Sequence, residues 1–342
     1  MTSVTIIGGG IFGLSCAWEI TRRGAPVRLF EAQRIGAGSS GGHVGALAPH
    51  APENWNPKKA FQLDSLLMAP AFWAGVEEAS GLPTGYGRTG RLQPVADAAA
   101  AERLRDRIAA AADRWPEGCA MHLTDAPAGG LVPDSPSGLW LFDGLTARLS
   151  PRATGKALAT AIRNRGGEII EGQQHGTPAG PILWATGTAG LADLSRDLGR
   201  PVGTGVKGQS ALLRHAAPHA PQVFADGLHI VSHADGTVAI GSTSENGYAH
   251  LDPDDQIDTL VARARVVCPQ LLNAPVIDRW AGARPRARTR APILGPWPGR
   301  PGHYVANGGF KIGFGMAPKV AQVMADLILD GHDAIPDGFR LA

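Results

Sequence analysis

Residues 4–31 read VTIIGGGIFGLSCAWEITRRGAPVRLFE, and this stretch decides the fold. The β-branched run at residues 3–7 predicts a buried strand. Residues 14–23 predict a helix that Gly24 ends, and residues 27–31 predict a second strand. A strand, a helix and a strand in this order form a βαβ unit, which is typical of a parallel sheet covered by helices.

The turn between the first strand and the helix carries Gly8, Gly10 and Gly13, spaced as G-x-G-x-x-G. The first glycine permits the turn, the second lets the backbone approach a pyrophosphate, and the third allows close helix–strand packing. Glu31 ends the second strand, where an acidic side chain accepts hydrogen bonds from a ribose. Because all parts stand at the expected offsets, the sequence predicts dinucleotide binding.

A second copy of the glycine spacing occurs at Gly203, Gly205 and Gly208. It follows Pro201 rather than a strand, and the residues after it are strand-like instead of helical. We therefore interpret it as no second nucleotide site, so NAD(P)H is not predicted as the reductant.

The composition of the 342 residues predicts a globular protein of about two domains. Apolar residues make up 44%, and 46 glycines with 27 prolines indicate many tight turns. A net charge of +2 argues against nucleic acid or an anionic membrane as a partner. Three cysteines without metal or redox spacing, and an N-terminus without a basic signal region, predict a cytoplasmic protein. No metal is predicted, since the pair His215 and His219 encloses Pro218 and has no nearby acid.

Beyond residue 50, the sequence predicts five helices and eight strands. The helices are predicted at residues 58–80, 98–115, 151–165, 256–267 and 318–329. The strands are predicted at residues 90–95, 139–142, 168–170, 182–185, 206–213, 229–233, 237–241 and 303–307.

Several patches along the chain resemble one family, the FAD-dependent amino acid oxidases that include D-amino acid oxidase, glycine oxidase and sarcosine oxidase. GAGSSGGHVGALAP at residues 36–49 is similar to the family's second flavin loop. The other patches, in the family's order, are ARLSPRATGKAL at 147–158, LWATG at 183–187, VKGQ at 206–209, WAGARP at 280–285 and GGFKIGFGMAP at 308–318.

This resemblance implies an α/β fold in which a Rossmann-like FAD domain is interleaved with an α+β substrate domain on a mixed, largely antiparallel sheet. The FAD domain would comprise residues 1–50, 145–200 and 290–342, and the substrate domain residues 51–144 and 201–289. The residues implied to bind FAD are Gly8, Gly10, Ile11, Phe12, Gly13, Glu31, Ala32, Ser39, Ser40, Gly41, Gly45, Ala46, Leu47, Ala185, Thr186, Gly187, Gly309, Phe310, Lys311, Ile312 and Gly313.

The resemblance also implies a reaction: the C–N bond of a small amino acid or secondary amine is oxidised by hydride transfer to flavin N5, which gives an imine. Oxygen or another acceptor would then reoxidise the flavin. The C-terminal loops contain no cysteine, so the FAD is expected to be bound noncovalently.

Two cations are candidates for the catalytic site. Arg284, in WAGARP, stands where the family places the arginine that binds a substrate carboxylate, and Lys311 stands where glycine oxidase has an arginine in its flavin-covering loop. Arg284 also begins an alternating arginine run that extends to Arg290. In an extended strand these arginines would share one face and could be solvated or bind an anionic partner.

Three other functions stay open at this point. GALAPH at residues 45–50 and the C-terminal loops are also similar to the flavin domain of a tRNA wobble-uridine modification oxidoreductase, which needs a basic face. A flavin-binding module without turnover is a second possibility. The third, an NAD-dependent dehydrogenase, is disfavoured by the loops after Glu31.

Overall fold

A computed structural model describes residues 3–173 and 180–341 of the chain, and the strands within those ranges form two large sheets and one small sheet. The helices are α1 Ile11–Arg22, α2 Pro57–Ser80, α3 Ala98–Ala112, α4 Pro151–Asn164, α5 Gly187–Asp197, α6 Gln256–Val267 and α7 Gly313–Asp330. The strands are β1 Val4–Ile7, β2 Val27–Glu31, β3 Ala46–Leu47, β4 Arg91–Pro94, β5 Met121–Thr124, β6 Trp140–Asp143, β7 Ala147–Arg148, β8 Glu168–Glu171, β9 Ile182–Trp184, β10 Gly203–Arg214, β11 Gln222–Ala225, β12 Leu228–Ser232, β13 Thr237–Gly241, β14 Val276–Ala287, β15 Ile293–Pro296 and β16 His303–Asn307.

The first large sheet has the strand order β15-β16-β9-β1-β2-β8. Its neighbours from β16 to β8 pair in parallel, and β15 is antiparallel to β16. Three separated stretches of chain supply these strands, and the first stretch is the βαβ unit. This confirms the predicted Rossmann-like, interleaved α/β fold.

The second large sheet has the order β14-β10-β13-β12-β11-β4-β6-β5. Each neighbouring pair is antiparallel except β4 with β11, which is parallel. This confirms the predicted mixed, largely antiparallel sheet. The second glycine motif lies inside β10, in register with β14, so those glycines belong to a strand and not to a phosphate-binding turn.

Helices α1 and α7 pack against each other over the first sheet, and Trp18 of α1 is buried in the core there. An ion-pair cluster fastens the two helices at one end. Arg23, just after α1, binds Glu19 at 2.8 Å and Asp326 of α7 at 2.7 Å. The helix that follows the glycine turn is therefore held against the C-terminal helix.

Helix α7 begins at Gly313, five residues before the predicted start at Pro318. The prediction used proline as a first-turn residue and left the glycines before it in a loop. In the structure Gly315 is buried, and an added Cβ would lie 3.5 Å from Leu66 of α2. Close packing on α2 therefore outweighs the low helix propensity of glycine.

The sequence suggested that the arginine run from Arg284 to Arg290 would share one strand face, but the structure divides this run. Strand β14 ends at Ala287, and Arg290 adopts a left-handed conformation with φ of +59°. Arg284 is buried, whereas Arg288 and Arg290 are exposed. The turn separates the arginines, so they do not form one solvated row.

Among the described residues, no helix combines the length and apolar character needed to cross a membrane. The same part of the chain shows no group of three or more His, Cys, Asp or Glu side chains placed to hold a metal ion.

Candidate functional site

A cavity of about 890 Å³ lies where the carboxyl ends of the parallel strands face the second sheet. The residues that follow β1, β2, β9 and β16 form one side. Side chains from β4, β10, β11, β12 and β14 form the other. The carboxyl edge of a parallel sheet is where α/β proteins bind their ligands.

Most of the predicted site residues line this cavity. They are Gly8, Gly10, Ile11, Phe12, Glu31, Ala32, Ser39, Ser40, Ala46, Leu47, Ala185, Thr186, Gly187, Arg284, Gly309, Phe310, Lys311, Ile312 and Gly313. Three predicted glycines are not among its lining residues. A Cβ on Gly13, Gly41 or Gly45 would overlap the backbone oxygen of Gly8, Gly36 or Leu149, respectively. Close backbone contacts thus require glycine at these three positions. Their role in FAD binding stays a prediction.

The glycine turn requires its glycines for backbone reasons. Gly8 has φ of +113°, a conformation that side chains rarely adopt, and a Cβ there would overlap the backbone of Ala185. Helix α1 starts directly after the turn, with Gly10 as its N-cap residue. Its partial positive end faces the cavity, which favours an anionic group such as a pyrophosphate.

Two side chains hold the turn from outside. The backbone N–H of Gly9 donates to Glu31 Oε2 at 2.8 Å, and the N–H of Ile11 donates to Ser40 Oγ at 3.0 Å. Glu31 Oε1 accepts a further bond from the Gln33 backbone at 2.9 Å. Glu31 and Ser40 thus stand at the glycine turn itself. Their contacts with FAD stay a prediction.

The loop before α7 is fastened to strand β14. The N–H of Phe310 donates to the Pro285 carbonyl at 3.0 Å, and Gly309 forms a bridge with Arg286. Phe310 has φ of +44°, so its backbone is left-handed. Its ring lies among three cations: Arg284 at 5.4 Å, Arg286 at 5.7 Å and Lys311 at 5.7 Å from the ring centroid. This arrangement brings the two predicted catalytic cations together.

The Arg284 guanidinium is buried and partly bonded to the protein. Nη1 donates to Ser242 Oγ at 2.7 Å, and Nη2 donates to the backbone oxygens of Thr243 at 2.6 Å and Lys207 at 3.3 Å. Nε is buried without a hydrogen-bond partner among the described residues. Burial lowers the pKa of Arg284 to about 10, against the opposing effect of Glu245, so the side chain stays cationic at neutral pH.

Gly208 of β10 makes room for that guanidinium. A Cβ at Gly208 would overlap Cζ and Nη2 of Arg284. Gly208 belongs to the second glycine motif. A glycine is needed at this position because the Arg284 side chain passes close to its backbone.

The cavity also contains a group of side chains that the sequence analysis did not assign to the site. Arg91 of β4, Phe224 of β11 and His229 of β12 line the wall of the second sheet. Burial first, then Arg91 and Lys311, lower the pKa of His229 to about 4. Its Nδ1 lies 2.7 Å from Nε2 of Gln222. His229 is therefore a neutral cavity residue at physiological pH.

The cavity fits an FAD molecule. It runs from the glycine turn beside Glu31 to the loop of Phe310, and the positive ends of α1 and α7 both face it. Gly8 lines the cavity, and the backbone of Ala185 leaves no space for a Cβ there. The turn is therefore bare backbone that a pyrophosphate can approach. A dinucleotide with a flavin ring at its far end matches these features.

Comparison with known proteins agrees with this geometry. The model of the family described as FAD dependent oxidoreductase matches residues 3–327. Glycine oxidase of Pseudomonas putida is 26% identical over 364 aligned positions, which cover 98% of this chain and 96% of that protein. The bifunctional protein ThiO/ThiG of Trichormus variabilis is 28% identical over 358 positions, which cover 96% of this chain and 52% of that protein. The chain thus spans about half the length of that bifunctional relative.

Solved structures show the same fold. The crystal structure of glycine oxidase from Geobacillus kaustophilus superposes with a TM-score of 0.85 at 22% identity, covering 100% of this chain and 99% of that one. Iminodiacetate oxidase from Chelativorans sp. BNC1 gives a TM-score of 0.82 at 21% identity, with 97% of each chain covered. With its family match over almost the whole chain, the protein is an enzyme of the FAD dependent oxidoreductase family, and its cofactor is FAD.

Proposed function

We propose that the protein oxidises the C–N bond of a small amino acid or secondary amine that carries a carboxylate. The observation that carries this proposal is the convergence of Arg284 and Lys311 on the ring of Phe310, beside the N-terminus of α7. A buried arginine and a nearby lysine on a cavity wall suit a carboxylate ligand. Similarity to glycine oxidases over nearly the whole chain supports the same substrate class.

The FAD would be held along the wall that the parallel strands provide. Gly8, Gly10 and the start of α1 would bind the pyrophosphate, and Glu31 the adenosine ribose. The loop of residues 39–47, the turn at residues 185–187 and the loop of residues 309–313 would enclose the flavin. The bound flavin supplies the hydride acceptor, which the protein itself lacks.

The protein's own residues would position the substrate. Arg284 has five N–H donors, and three of them already bind Ser242, Thr243 and Lys207. Among the described residues, one N–H of Nη1 is left to donate to a carboxylate oxygen of the substrate, whereas Nε is buried. A second ionic contact would come from Lys311, whose pKa is lowered by partial burial and by Arg284. Together they would hold the α-carbon of the substrate in one orientation.

The substrate must lose its amine proton before oxidation, because an ammonium has no lone pair. His229 lies with Arg284 on the cavity wall formed by the second sheet. Because its ring is neutral, it would accept a hydrogen bond from the substrate amine or donate one to it without adding charge. We propose that the flavin is then reoxidised by oxygen or another acceptor. We also propose a cytoplasmic location, since Cys16, Cys119 and Cys268 are all unpaired and buried.

We further propose the division into an FAD domain (1–50, 145–200 and 290–342) and a substrate domain (51–144 and 201–289). The strands of the first large sheet fall in the first set of ranges, and those of the second large sheet fall in the other set.

The test is anaerobic reduction of the bound flavin by a panel of amines, followed as loss of flavin absorbance. We expect glycine, N-methylglycine or another small amine with a carboxylate to reduce the flavin within seconds to minutes. The matching amines without a carboxylate should reduce it far more slowly. A flavin that no amine reduces would contradict the proposal and favour a binding module without turnover.

A further inference from the structure

The wall of the cavity opposite the flavin loops carries a second cationic position, at Arg91. Strand β4 pairs in parallel with β11, so Arg91 stands beside Gln222, and β11 pairs with β12, so Phe224 stands beside His229. The Arg91 guanidinium lies 5.8 Å from the centroid of the Phe224 ring, which in turn is 4.6 Å from the His229 ring. These three side chains, named here the Arg91 wall, all line the cavity.

Among the described residues, Arg91 is hydrogen-bonded through only one of its three nitrogens. Its Nε donates to Asp143 Oδ2 at 2.8 Å, and Asp143 is the residue directly opposite Arg91 on β6. Asp143 is completely buried, and the Arg91 side chain is 12% exposed. Within residues 3–173 and 180–341, Nη1 and Nη2 have no hydrogen-bond partner. A rigidly held guanidinium with two open nitrogens is a preformed anion-binding group.

The charges along the cavity leave room for two anionic groups. Arg284, Lys311 and Arg91 line it, and Glu31, at the glycine turn, is the only carboxylate among the described lining residues. Asp143 compensates Arg91 in part from behind, outside the cavity lining. His229 lies within electrostatic reach of both Arg91 and Lys311, and its lowered pKa keeps it neutral. One substrate carboxylate at Arg284 and Lys311 would leave the donors of Arg91 without an anion.

We propose that Arg91 binds a second anionic group of the substrate, so that the preferred substrates are small amino acids or secondary amines with two carboxylates. The first carboxylate lies at Arg284 and Lys311, the oxidised carbon lies against the flavin, and the second carboxylate reaches the Arg91 wall. The inference rests on the proposed amine-oxidising function and extends it to a substrate class.

The binding test uses ligands that cannot be oxidised. The FAD-loaded protein is titrated by calorimetry with acetate, malonate, succinate and glutarate. We expect at least one dicarboxylate to bind about tenfold or more tightly than acetate, as a second charged hydrogen bond would give. Equal binding of acetate and every dicarboxylate would overturn the inference.

Two double variants distinguish a specific role of Arg91 from a general effect of removing charges. The double variant Arg91→Gln with Asp143→Asn removes both charges and keeps a neutral hydrogen-bonded pair. We expect it to bind acetate as the parent does and to lose the preference for dicarboxylates. A preference that survives in this variant would overturn the inference. The matched control is Arg107→Gln with Glu53→Gln, a bonded arginine–carboxylate pair outside the cavity, which should keep the preference.

Folding is checked by FAD content and melting temperature. Where the double variant loses FAD, Arg91→Lys keeps the charge next to Asp143 but removes the guanidinium donors. It should weaken dicarboxylate binding several-fold and leave acetate binding unchanged. An unchanged dicarboxylate affinity in Arg91→Lys would count against the inference.

Flavin reduction distinguishes this inference from the function on which it rests. We expect amines with two carboxylates to reduce the flavin with a lower KM than their counterparts with one carboxylate. Equal KM values for the two classes would overturn the inference and leave the proposed function standing. If no amine reduces the flavin, the proposed function fails, and the substrate class falls with it.

Discussion

His43 Nε2 lies 3.2 Å from Asp278 Oδ2, and this contact joins the flavin loop to strand β14. The other ring nitrogen, Nδ1, lies 3.1 Å from Ser210 Oγ on β10. Asp278 is also bound by Arg152 of α4 at 2.6 Å. Burial lowers the pKa of His43 even though Asp278 opposes the shift. A neutral histidine therefore connects the loop of the first sheet with two strands of the second.

Replacing Glu31 should weaken FAD binding. Glu31→Ala removes the carboxylate expected to bind the ribose and also leaves the Gly9 N–H without its acceptor. We expect a loss of about 1–3 kcal/mol in FAD affinity, the usual size for a hydrogen bond to a charged group. Fluorescence titration of the apoprotein with FAD measures it. Glu168→Ala, an exposed position on the neighbouring strand β8, is the control, and equal dissociation constants for both variants would disprove the role.

Replacing Arg284 should impair substrate use. Arg284→Ala is expected to cost about 2–5 kcal/mol in kcat/KM, because a desolvated carboxylate loses its partner. Arg284→Lys should recover only part of this, and Arg288→Ala, at an exposed position, should change little. Anaerobic flavin reduction gives the rates, and the flavin spectrum checks folding. A uniform loss across the arginines, together with tRNA binding in a gel shift, would favour the modification enzyme instead.

A methyl group at Gly208 should disturb Arg284 indirectly. Gly208→Ala places a Cβ against the guanidinium, so the arginine must move. We expect KM for the best amine to rise at least about tenfold, since a displaced cation weakens carboxylate binding by more than about 1.4 kcal/mol. The affinity for FAD should stay unchanged. Gly247→Ala is the control, because a Cβ there meets no atom within 4 Å. Unaltered KM in Gly208→Ala would show that Arg284 does not bind the substrate.

His229 should make stability depend on acidic pH. Its pKa of about 4 in the folded state lies below the ordinary 6.5, so the unfolded chain binds the proton more readily. Its contribution is complete above pH 6.5 and is lost as the pH falls toward 4. Replacing it by Asn should flatten the fall in melting temperature between pH 7 and pH 4.5, by the equivalent of about 1–3 kcal/mol. Melting curves that stay parallel for the two proteins would refute this.

The FAD should be released by acid. Cys16, Cys119 and Cys268 are buried elsewhere in the fold and do not line the cavity, so no thiol stands beside the flavin loops. Precipitation with trichloroacetic acid should leave all the yellow colour in the supernatant. Colour that stays in the pellet would indicate a covalent bond.

Local patterns predicted the glycine turn well. Strand β1, the glycines and Glu31 follow one another in 28 residues of sequence, and each has a recognisable spacing. The loop around Phe310 was placed through its family resemblance. The bridge of that loop to β14 needed the three-dimensional structure, because Gly309 and Arg286 meet through tertiary pairing.

The Arg91 wall could not be predicted from the sequence. Arg91, Phe224 and His229 come together only because β4 pairs with β11 across more than a hundred residues. Strand register of this kind leaves no local signal. The early start of α7 was missed for a related reason: packing against α2 decides it, while local propensity favours the proline as the first residue.

The cavity between the two large sheets has a consequence for how the enzyme is maintained in the cell. FAD bound in this cavity would be a ligand of the folded state alone, so its supply would set the apparent stability of the whole chain. Each tenfold rise of free FAD above its dissociation constant adds about 1.4 kcal/mol. Growth on limiting riboflavin should therefore lower the amount of this protein, because more of the chain is unfolded and degraded. This loss should occur while expression of the gene is unchanged.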